Sequence, residues 1–369
     1  MPKHRLSFKI DKFLQAVDPE LRKKYFSEKG LKLPANINLK DDSFEEFWDK
    51  IDGKKRTEIE EDLQSINDTA DETRDCLQQA VKRFKIKTDE NESSETTAMR
   101  VFLHSDEAFS LAYDLYLYHS AVSEQVSHHK FEKANPDFGQ VSFGRFKSEV
   151  EKHFKECGKS DNCDIHQIQD GDNEIFLIAR ADFIKSHLVF EDGKVETRTY
   201  RPAKEDVLAF NKKTSILDVH LNGRNEDDRN QYIRIFGKAI LRLAKIDEKT
   251  FKNILVVLDP IKKKKFNYGG NEHIEAIILT EVRAKVHNPK THFLTVKSNA
   301  IADFLSKYGL SQDGAELVSA NLKFLIRRDG KKSRPFSVLI KPPVNSRVPQ
   351  KTGRKVVEAY LREQGVLLV

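Results

Sequence analysis

Four residues near position 160 carry the side chains that a tetrahedral zinc site uses. His153 and Cys157 lie four residues apart, and Cys163 and His166 lie three apart. Two thiolates and two imidazoles make a complete zinc ligand set, and a helix would bring the first pair onto one face. The interval between the cysteines is wider than zinc motifs usually have, and the intervening Gly-Lys-Ser-Asp-Asn is typical of a solvated turn. Two interpretations therefore stay open: a structural zinc ion, or polar residues at a domain junction with no cofactor.

A second set of residues could serve a metal-dependent nuclease. Asp259 ends the apolar run Ile254–Leu258, and Glu281, Arg283 and Lys285 alternate along a predicted strand. Carboxylates with a nearby lysine could hold Mg²⁺ and activate a water molecule for phosphodiester cleavage. Charged residues on the solvent side of a strand give the same pattern without catalysis. A nuclease that uses Asp259, Glu281 and Lys285 is therefore kept as an alternative.

Complete signatures of nucleophilic or cofactor-dependent catalysis do not occur in the sequence. It contains no Gly-x-Ser-x-Gly, no His-Glu-x-x-His and no glycine-rich dinucleotide-binding turn. We therefore expect a protein that acts by binding rather than by catalysis, with no cofactor unless the zinc or the nuclease interpretation holds.

Positive charge is concentrated towards the end of the sequence. The stretch from Lys323 to Glu363 holds twelve basic and three acidic residues, a net charge of +9, whereas the whole chain carries +6 and the remainder therefore −3. The basic residues are Lys323, Arg327, Arg328, Lys331, Lys332, Arg334, Lys341, Arg347, Lys351, Arg354, Lys355 and Arg362. A second cluster is formed by Lys262, Lys263, Lys264 and Lys265. Cations gathered in this way repel one another, so a polyanionic partner explains them best.

These cations are predicted to lie on a hairpin and a following helix. Asp329-Gly330 suits a tight turn between the strands Leu322–Arg328 and Phe336–Lys341. Alternation along the first strand would send its apolar residues to the core and leave Lys323 and Arg327 outside. Side chains that read bases are sparse here, so we expect contacts to phosphate without strong sequence preference.

The N-terminal third reads as helix. Apolar residues recur at alternating intervals of four and three, interrupted only at Thr73: Ile59, Leu63, Ile66, Ala70, Leu77, Ala80 and Phe84. The pattern predicts one coiled-coil-like helix of about 30 residues, roughly 45 Å long. It would pack on the apolar helix Phe109–Val126 within a bundle, or pair with another chain. The acidic segment Thr88–Thr97 reads as a linker.

Beyond residue 158, short β-like runs separated by turns replace the helical pattern, and helices are segregated from them. This arrangement predicts an α+β protein with a mainly antiparallel sheet. We expect a helical bundle for protein contacts at 1–157, an antiparallel α+β domain at 158–297, and a basic helix–hairpin–helix subdomain packed on it at 298–369.

Composition narrows the class of protein. Of the 369 residues, 33% are charged and 38% hydrophobic, which excludes global disorder, and no apolar run approaches the roughly 20 residues of a membrane span. The first residues, MPKHRLSFKIDKF, contain no continuous apolar stretch of the kind a secretory signal has. Three cysteines do not make a disulfide framework, so we expect a cytoplasmic protein without a membrane partner.

One stretch carries a resemblance. Asp206–Leu241, with Asn230-Gln231-Tyr232 and Phe236-Gly237-Lys238, resembles uncharacterised bacterial proteins encoded beside anti-phage genes, which implies a role in antiviral defence. The first hypothesis is thus a non-enzymatic nucleic-acid-binding subunit of a bacterial multi-protein complex, with DNA preferred to RNA. Its N-terminal helices would contact a protein partner or a second copy. The alternatives are the divergent nuclease and a protein-interaction scaffold whose basic surface meets an acidic partner.

Overall fold

The computed structural model describes residues 9–34, 37, 39, 42–70, 76–89, 91–122, 126–131, 134–159, 162–191, 194–223, 226–246, 255–287, 291–298, 315–328, 331–348 and 353–368. These residues form a mixed α+β protein, as the sequence predicts. The chain divides after Leu117 into two compact units. None of the described helices combines the length and the apolarity that crossing a bilayer requires.

The first unit is helical. Its described helices are α1 (Ile10–Ala16), α2 (Pro19–Glu28), α3 (Asp42–Asp49), α4 (Gly53–Thr69), α5 (Cys76–Phe84), α6 (Ser94–Phe102) and the first part of α7 (Asp106–Val122). Side-chain caps begin several of them: Asp18 accepts hydrogen bonds from the N–H groups of Glu20 and Leu21, and Asp52 does the same for Lys54 and Lys55. Each cap satisfies backbone donors that have no partner within the helix.

The long helix predicted over Ile59–Phe84 is two helices, α4 and α5. Helix α4 ends at Thr69, and the next described residue after Ala70 is Cys76, where α5 begins. The apolar residues of both helices are nonetheless buried in one core, so their spacing reports burial rather than a continuous rod. Thr73, the interruption in the pattern, lies outside the described residues.

Helix α6 lies at the centre of this unit, and its first four residues belong to the segment Thr88–Thr97 that was predicted as a linker. It packs against α1, α2, α4 and α5, and its Ala98, Met99 and Val101 are fully buried. Ser93 caps the helix through the Thr96 N–H and also donates to the Ala16 carbonyl at 2.7 Å. The polar run therefore contains the capping segment of a buried helix. Helix α6, rather than the predicted partner α7, is the principal packing partner of α4 and α5.

The second unit is built on a ten-stranded antiparallel sheet. Its described strands, with a separate two-stranded hairpin of β4 and β5, are β1 (Val126–Lys130), β2 (Cys163–Asp170), β3 (Asn173–Ala181), β4 (Lys185–Glu191), β5 (Lys194–Tyr200), β6 (Ala203–Asn211), β7 (Ile216–His220), β8 (Ile274–His287), β9 (Thr291–Lys297), β10 (Ala315–Arg328), β11 (Lys331–Lys341) and β12 (Asn345–Arg347). The order is β2-β3-β6-β7-β1-β12-β11-β10-β8-β9. The sheet crosses both sequence positions, 157 and 297, at which domain boundaries were predicted.

Four described helices complete this unit: α8 (Gln140–Glu156), α9 (Glu226–Ala239), α10 (Asp259–Lys262) and α11 (Arg354–Glu363). Helices α8 and α9 pack on β2, β3, β6 and β7, which we call the N-terminal half of the sheet. Helices α10 and α11 pack on β8, β10 and β11, which with β9 and β12 form the C-terminal half. Strand β1 lies between the two halves.

The two pairs of helices cover opposite faces of the sheet. Val219, buried under α8 and α9, is opposite Ser127, which is opposite Asn345, which in turn is opposite Lys341. Directly opposed residues point to the same face, so Lys341 is on the side of α8 and α9. Its neighbour Ile340 is buried on the other side, with α10 and α11. We call the side of the C-terminal half that α10 and α11 do not cover the open face.

Candidate nucleic-acid interface

Strand β10 is the middle strand of the open face. Its Leu322, Phe324 and Ile326 are buried against the core that α10 and α11 share, so Lys323 and Arg327 between and beyond them point to the open face. The alternation predicted from the sequence is thus the one that orients these two cations. Arg327 is exposed and Lys323 is half-buried among its neighbours.

Strands β8 and β9 add cations and an aromatic ring. Arg283 and Lys285 flank the buried Ala284, and opposite them across the β8–β9 pairing lie Thr295 and Phe293. The Arg283 guanidinium lies 4.6 Å from the centre of the Phe293 ring, which is 56% exposed. A solvent-facing aromatic ring beside a guanidinium is a surface on which a nucleobase can stack.

Strands β11 and β12 complete the open face with Lys341 and Arg347, both exposed. Seven described cations therefore share it: Arg283, Lys285, Lys297, Lys323, Arg327, Lys341 and Arg347. They lie on five adjacent strands that span about 19 Å at the usual strand spacing. Three carboxylates among the described residues accompany them, of which Glu281 pairs with Lys297 at 3.2 Å and Glu275 accepts from Ser333. The third is Glu316, opposite Lys285. Cations thus exceed carboxylates on this surface.

The structure divides the cations that the sequence grouped together. Lys262 ends α10 and Lys263 to Lys265 follow it, and Lys355 and Arg362 belong to α11, so all of them lie on the helix-covered side. Arg354 is committed to internal contacts, because its Nε bonds Glu358 at 2.7 Å and its Nη1 donates to the Val348 carbonyl. The single surface expected from the sequence is therefore two surfaces on opposite sides of the sheet.

The tip of the β10–β11 hairpin lies at the edge of both surfaces. Arg328 pairs with Lys331 in the backbone register, although nothing is described for their side chains. Lys332 is exposed, and Arg334 is half-buried beside Ile326 on the helix-covered side. Lys351 lies outside the described residues.

The nuclease residues are not brought together. Asp259 begins α10, where it pairs with Lys263 at 2.7 Å, and the next turn of this helix buries Ile261 on the helix-covered side. Glu281 and Lys285 point to the open face instead, because Val282 and Ala284 occupy the buried positions. The sheet itself separates Asp259 from Glu281, so these residues do not form a shared metal site.

The four predicted zinc ligands are also divided. Residues 163 to 166 form the start of strand β2 rather than a loop, and an interval of three in a strand sends side chains to opposite faces. Cys163 packs towards the core under α8 and α9, whereas His166 is exposed beside Asp164 at 3.2 Å. The pair of His153 and Cys157 is preserved on α8, with the sulfur 3.9 Å from His153 Nε2.

One polar arrangement was not among the predictions made from the sequence. His128 lies on β1, with its Nδ1 2.5 Å from Asp218 Oδ1 and its Nε2 2.6 Å from Ser346 Oγ. These are the three side chains of a serine hydrolase relay. Ser346 is only 4% exposed within a central strand, however, so a substrate carbonyl does not reach it. We interpret the arrangement as a link between β7, β1 and β12.

The open face is thus one of two cationic surfaces of the second unit, and its part on β8 and β9 could have been found from the alternation in those strands. Arg283 and Lys297 belong to it, although their strands lie outside the basic C-terminal stretch. No protein-family model and no curated protein matches this chain in sequence.

Proposed function

We propose that this protein binds nucleic acid through the open face, as a non-enzymatic subunit that holds the phosphate backbone. The observation that carries the proposal is the row of seven described cations across five strands, with the exposed ring of Phe293 on the edge strand β9 at one end of the row. Like charges held on a rigid sheet repel one another in the unbound protein, and a polyanion relieves that repulsion.

Single-stranded DNA fits this surface better than a duplex does. Phosphate contacts alone do not distinguish the two, but an exposed aromatic ring stacks on unpaired bases and not on bases within a duplex. Among the described residues, no helix projects from the open face that could enter a major groove. We therefore take single-stranded DNA as the preferred ligand, with contacts that depend little on sequence.

The wider setting is a further part of the proposal. Membership of a bacterial multi-protein complex with a role in antiviral defence rests on the resemblance carried by Asp206–Leu241, which includes the buried α9 residues Tyr232 and Phe236. The described apolar residues of α4 and α5 are packed in the core of the first unit. A protein partner would therefore use other surfaces of these helices.

The test compares two triple variants of equal charge loss. Lys323→Ala, Arg327→Ala and Lys341→Ala remove cations from the open face, whereas Lys262→Ala, Lys265→Ala and Lys355→Ala remove the same number from the helix-covered side. Binding of labelled single-stranded DNA is measured by fluorescence anisotropy over a series of salt concentrations. Each phosphate contact contributes a log–log slope of about −0.7 for single strands, so the first variant should flatten the slope by about two units.

The second triple variant should retain the wild-type slope. Equal losses in both variants would assign binding to diffuse charge, and a loss only in the second would move the site to the helix-covered side. Poly-L-glutamate serves as a polyanion without bases. If it competes as well as DNA of the same charge, the acidic-partner scaffold replaces nucleic-acid binding as the function.

A further inference from the structure

The end of α8 and the start of α9 bring three metal-binding side chains together. His153 lies in the last turn of α8 and Cys157 directly follows the last residue of that helix, while Asp228 lies in the first turn of α9. The two helices pack against each other along the same half of the sheet. One ligand atom from each of the three side chains lies within 4.8 Å of the other two.

Two of the three separations are close to those of a tetrahedral zinc site. His153 Nε2 is 3.1 Å from Asp228 Oδ1 and 3.9 Å from Cys157 Sγ. Zinc bonds of about 2.0–2.3 Å to nitrogen, oxygen and sulfur place neighbouring ligand atoms about 3.3–3.8 Å apart. A shift of a few tenths of an ångström brings His153 to the ligand spacing expected with each of the other two side chains, and the third separation, between Asp228 and Cys157, is no more than 4.8 Å.

The surroundings orient one of these ligands. The second oxygen of Asp228, Oδ2, accepts a hydrogen bond from Lys159 Nζ at 2.7 Å, and Asp228 is only 3% exposed. A carboxylate fixed in this way presents its other oxygen in one direction, as outer-shell partners do for metal ligands in general. Lys159 itself lies 4.9 Å from the centre of the Phe154 ring, which limits its position in turn.

We propose that His153, Cys157 and Asp228 bind a zinc ion and leave its fourth position open to solvent. Imidazole, thiolate and carboxylate together favour zinc over magnesium or calcium, which prefer oxygen ligands. Binding converts the Cys157 thiol to a zinc-bound thiolate and releases one proton to water. Cys157 is exposed whereas Asp228 is buried, so the open position faces outwards and takes a water molecule. This site is separate from the open face and does not depend on nucleic-acid binding.

The first experiment measures metal content in the full-length protein. Protein stripped with a chelator is dialysed against zinc, and bound metal is counted by elemental analysis. We expect one equivalent in the wild type, none in Cys157→Ser, and one in both Cys163→Ser and His166→Ala, the two ligands that the sequence alone would have added. Substitution with Co²⁺ should give the wild type, but not Cys157→Ser, a thiolate-to-metal charge-transfer band.

A second readout uses the cysteines directly. Zinc should slow the alkylation of Cys157 by iodoacetamide, whereas Cys163 should react slowly with or without zinc because burial raises the pKa of its thiol to about 12. Wild-type protein that takes up no zinc would overturn the proposal. So would loss of the metal in Cys163→Ser or His166→Ala, or retention of it in Cys157→Ser. Circular dichroism of each variant separates these outcomes from misfolding.

Discussion

The two halves of the ten-stranded sheet differ in the placement of their charged side chains, which are buried and paired in the N-terminal half and face solvent in the C-terminal half. In the N-terminal half, Arg180 donates to Asp206 beneath α8 and α9, and both side chains are almost entirely buried. Asp206 also accepts from the Tyr232 hydroxyl at 3.0 Å and from the Asn222 N–H at 2.8 Å. Burial, together with the nearby Asp206 carboxylate, raises the pKa of Tyr232, so its hydroxyl stays protonated as a donor.

On the same side of the sheet, the C-terminal half carries cations that face solvent, and these described cations outnumber the described carboxylates beside them. This difference separates charge that serves the fold from charge that serves a partner. A buried ion pair must be balanced within the protein, because an uncompensated charge in the interior is costly. Exposed cations cost the fold little and contribute little to it. An exposed excess of one sign is therefore evidence about a ligand, whereas a buried balanced cluster is not.

The largest effect is expected from Asp206→Ala. The change leaves the Arg180 guanidinium buried without its carboxylate and also removes the acceptor of Tyr232 and Asn222, so the free energy of unfolding should fall by about 3–5 kcal/mol. Urea denaturation followed by circular dichroism measures the loss. The control is Asp172→Asn, which breaks the exposed pair with Lys213 and should not move the transition. Equal, small losses of unfolding free energy in both variants would show that the buried pair stabilises the fold no more than the exposed pair does.

A smaller effect is expected from Phe293→Ala. Loss of the ring should weaken single-stranded DNA binding by about 1–3 kcal/mol, the usual range for one base–aromatic stack, and should leave duplex binding nearly unchanged. Anisotropy titrations with both ligands measure the difference. Leu294→Ala is the matched control, since the neighbouring side chain is also exposed but points to the helix-covered side. Equal losses in the two variants would place the stacking elsewhere.

The hairpin tip tests where the open face ends. If Lys332 and Arg334 also meet phosphates, Lys332→Ala with Arg334→Ala should flatten the single-strand salt slope by about 1.4 units. We expect less than this, because Arg334 is half-buried on the helix-covered side. A change as large as that of the open-face triple variant would extend the interface around the tip.

The smallest effect is expected from Glu281→Gln. Removing this carboxylate frees Lys297 from its partner at 3.2 Å and should strengthen DNA binding by about 0.2–1 kcal/mol, the range of exposed ion pairs. The gain should disappear at high salt because both groups are solvent-exposed. Weaker binding after this change would instead give Glu281 a direct part in holding the ligand.

Local patterns predicted much of this fold, and topology decided the rest. The α+β class and most strands of the second unit follow from alternation and turns. Helix α6 was missed because its buried residues follow an acidic run that looks like a linker. Strand β1 was missed because His128 and His129 carry no clear alternation. Both errors concern short segments whose conformation is set by what packs on them.

The candidate interface was only half predictable. The sequence places Lys323 and Arg327 on one side of a strand, but it does not say that α11 covers the opposite side. For that reason Lys355 and Lys323 were grouped together, although the sheet lies between them. The set of zinc ligands was mispredicted for the same reason. Asp228 is 71 residues from Cys157 in sequence and meets it only because α8 and α9 pack together.

Strand β1 has a consequence for how the second unit reaches its folded state. Most neighbouring strands are close in sequence and can pair early as hairpins, including β2 with β3 and β10 with β11. By contrast, His128 contacts residues 90 and 218 positions away, in β7 and β12. Contacts between such distant residues form late, because the chain must lose the entropy of closing long loops before they form. The two halves should therefore assemble separately, with the five-residue strand between them as the last and slowest piece to join.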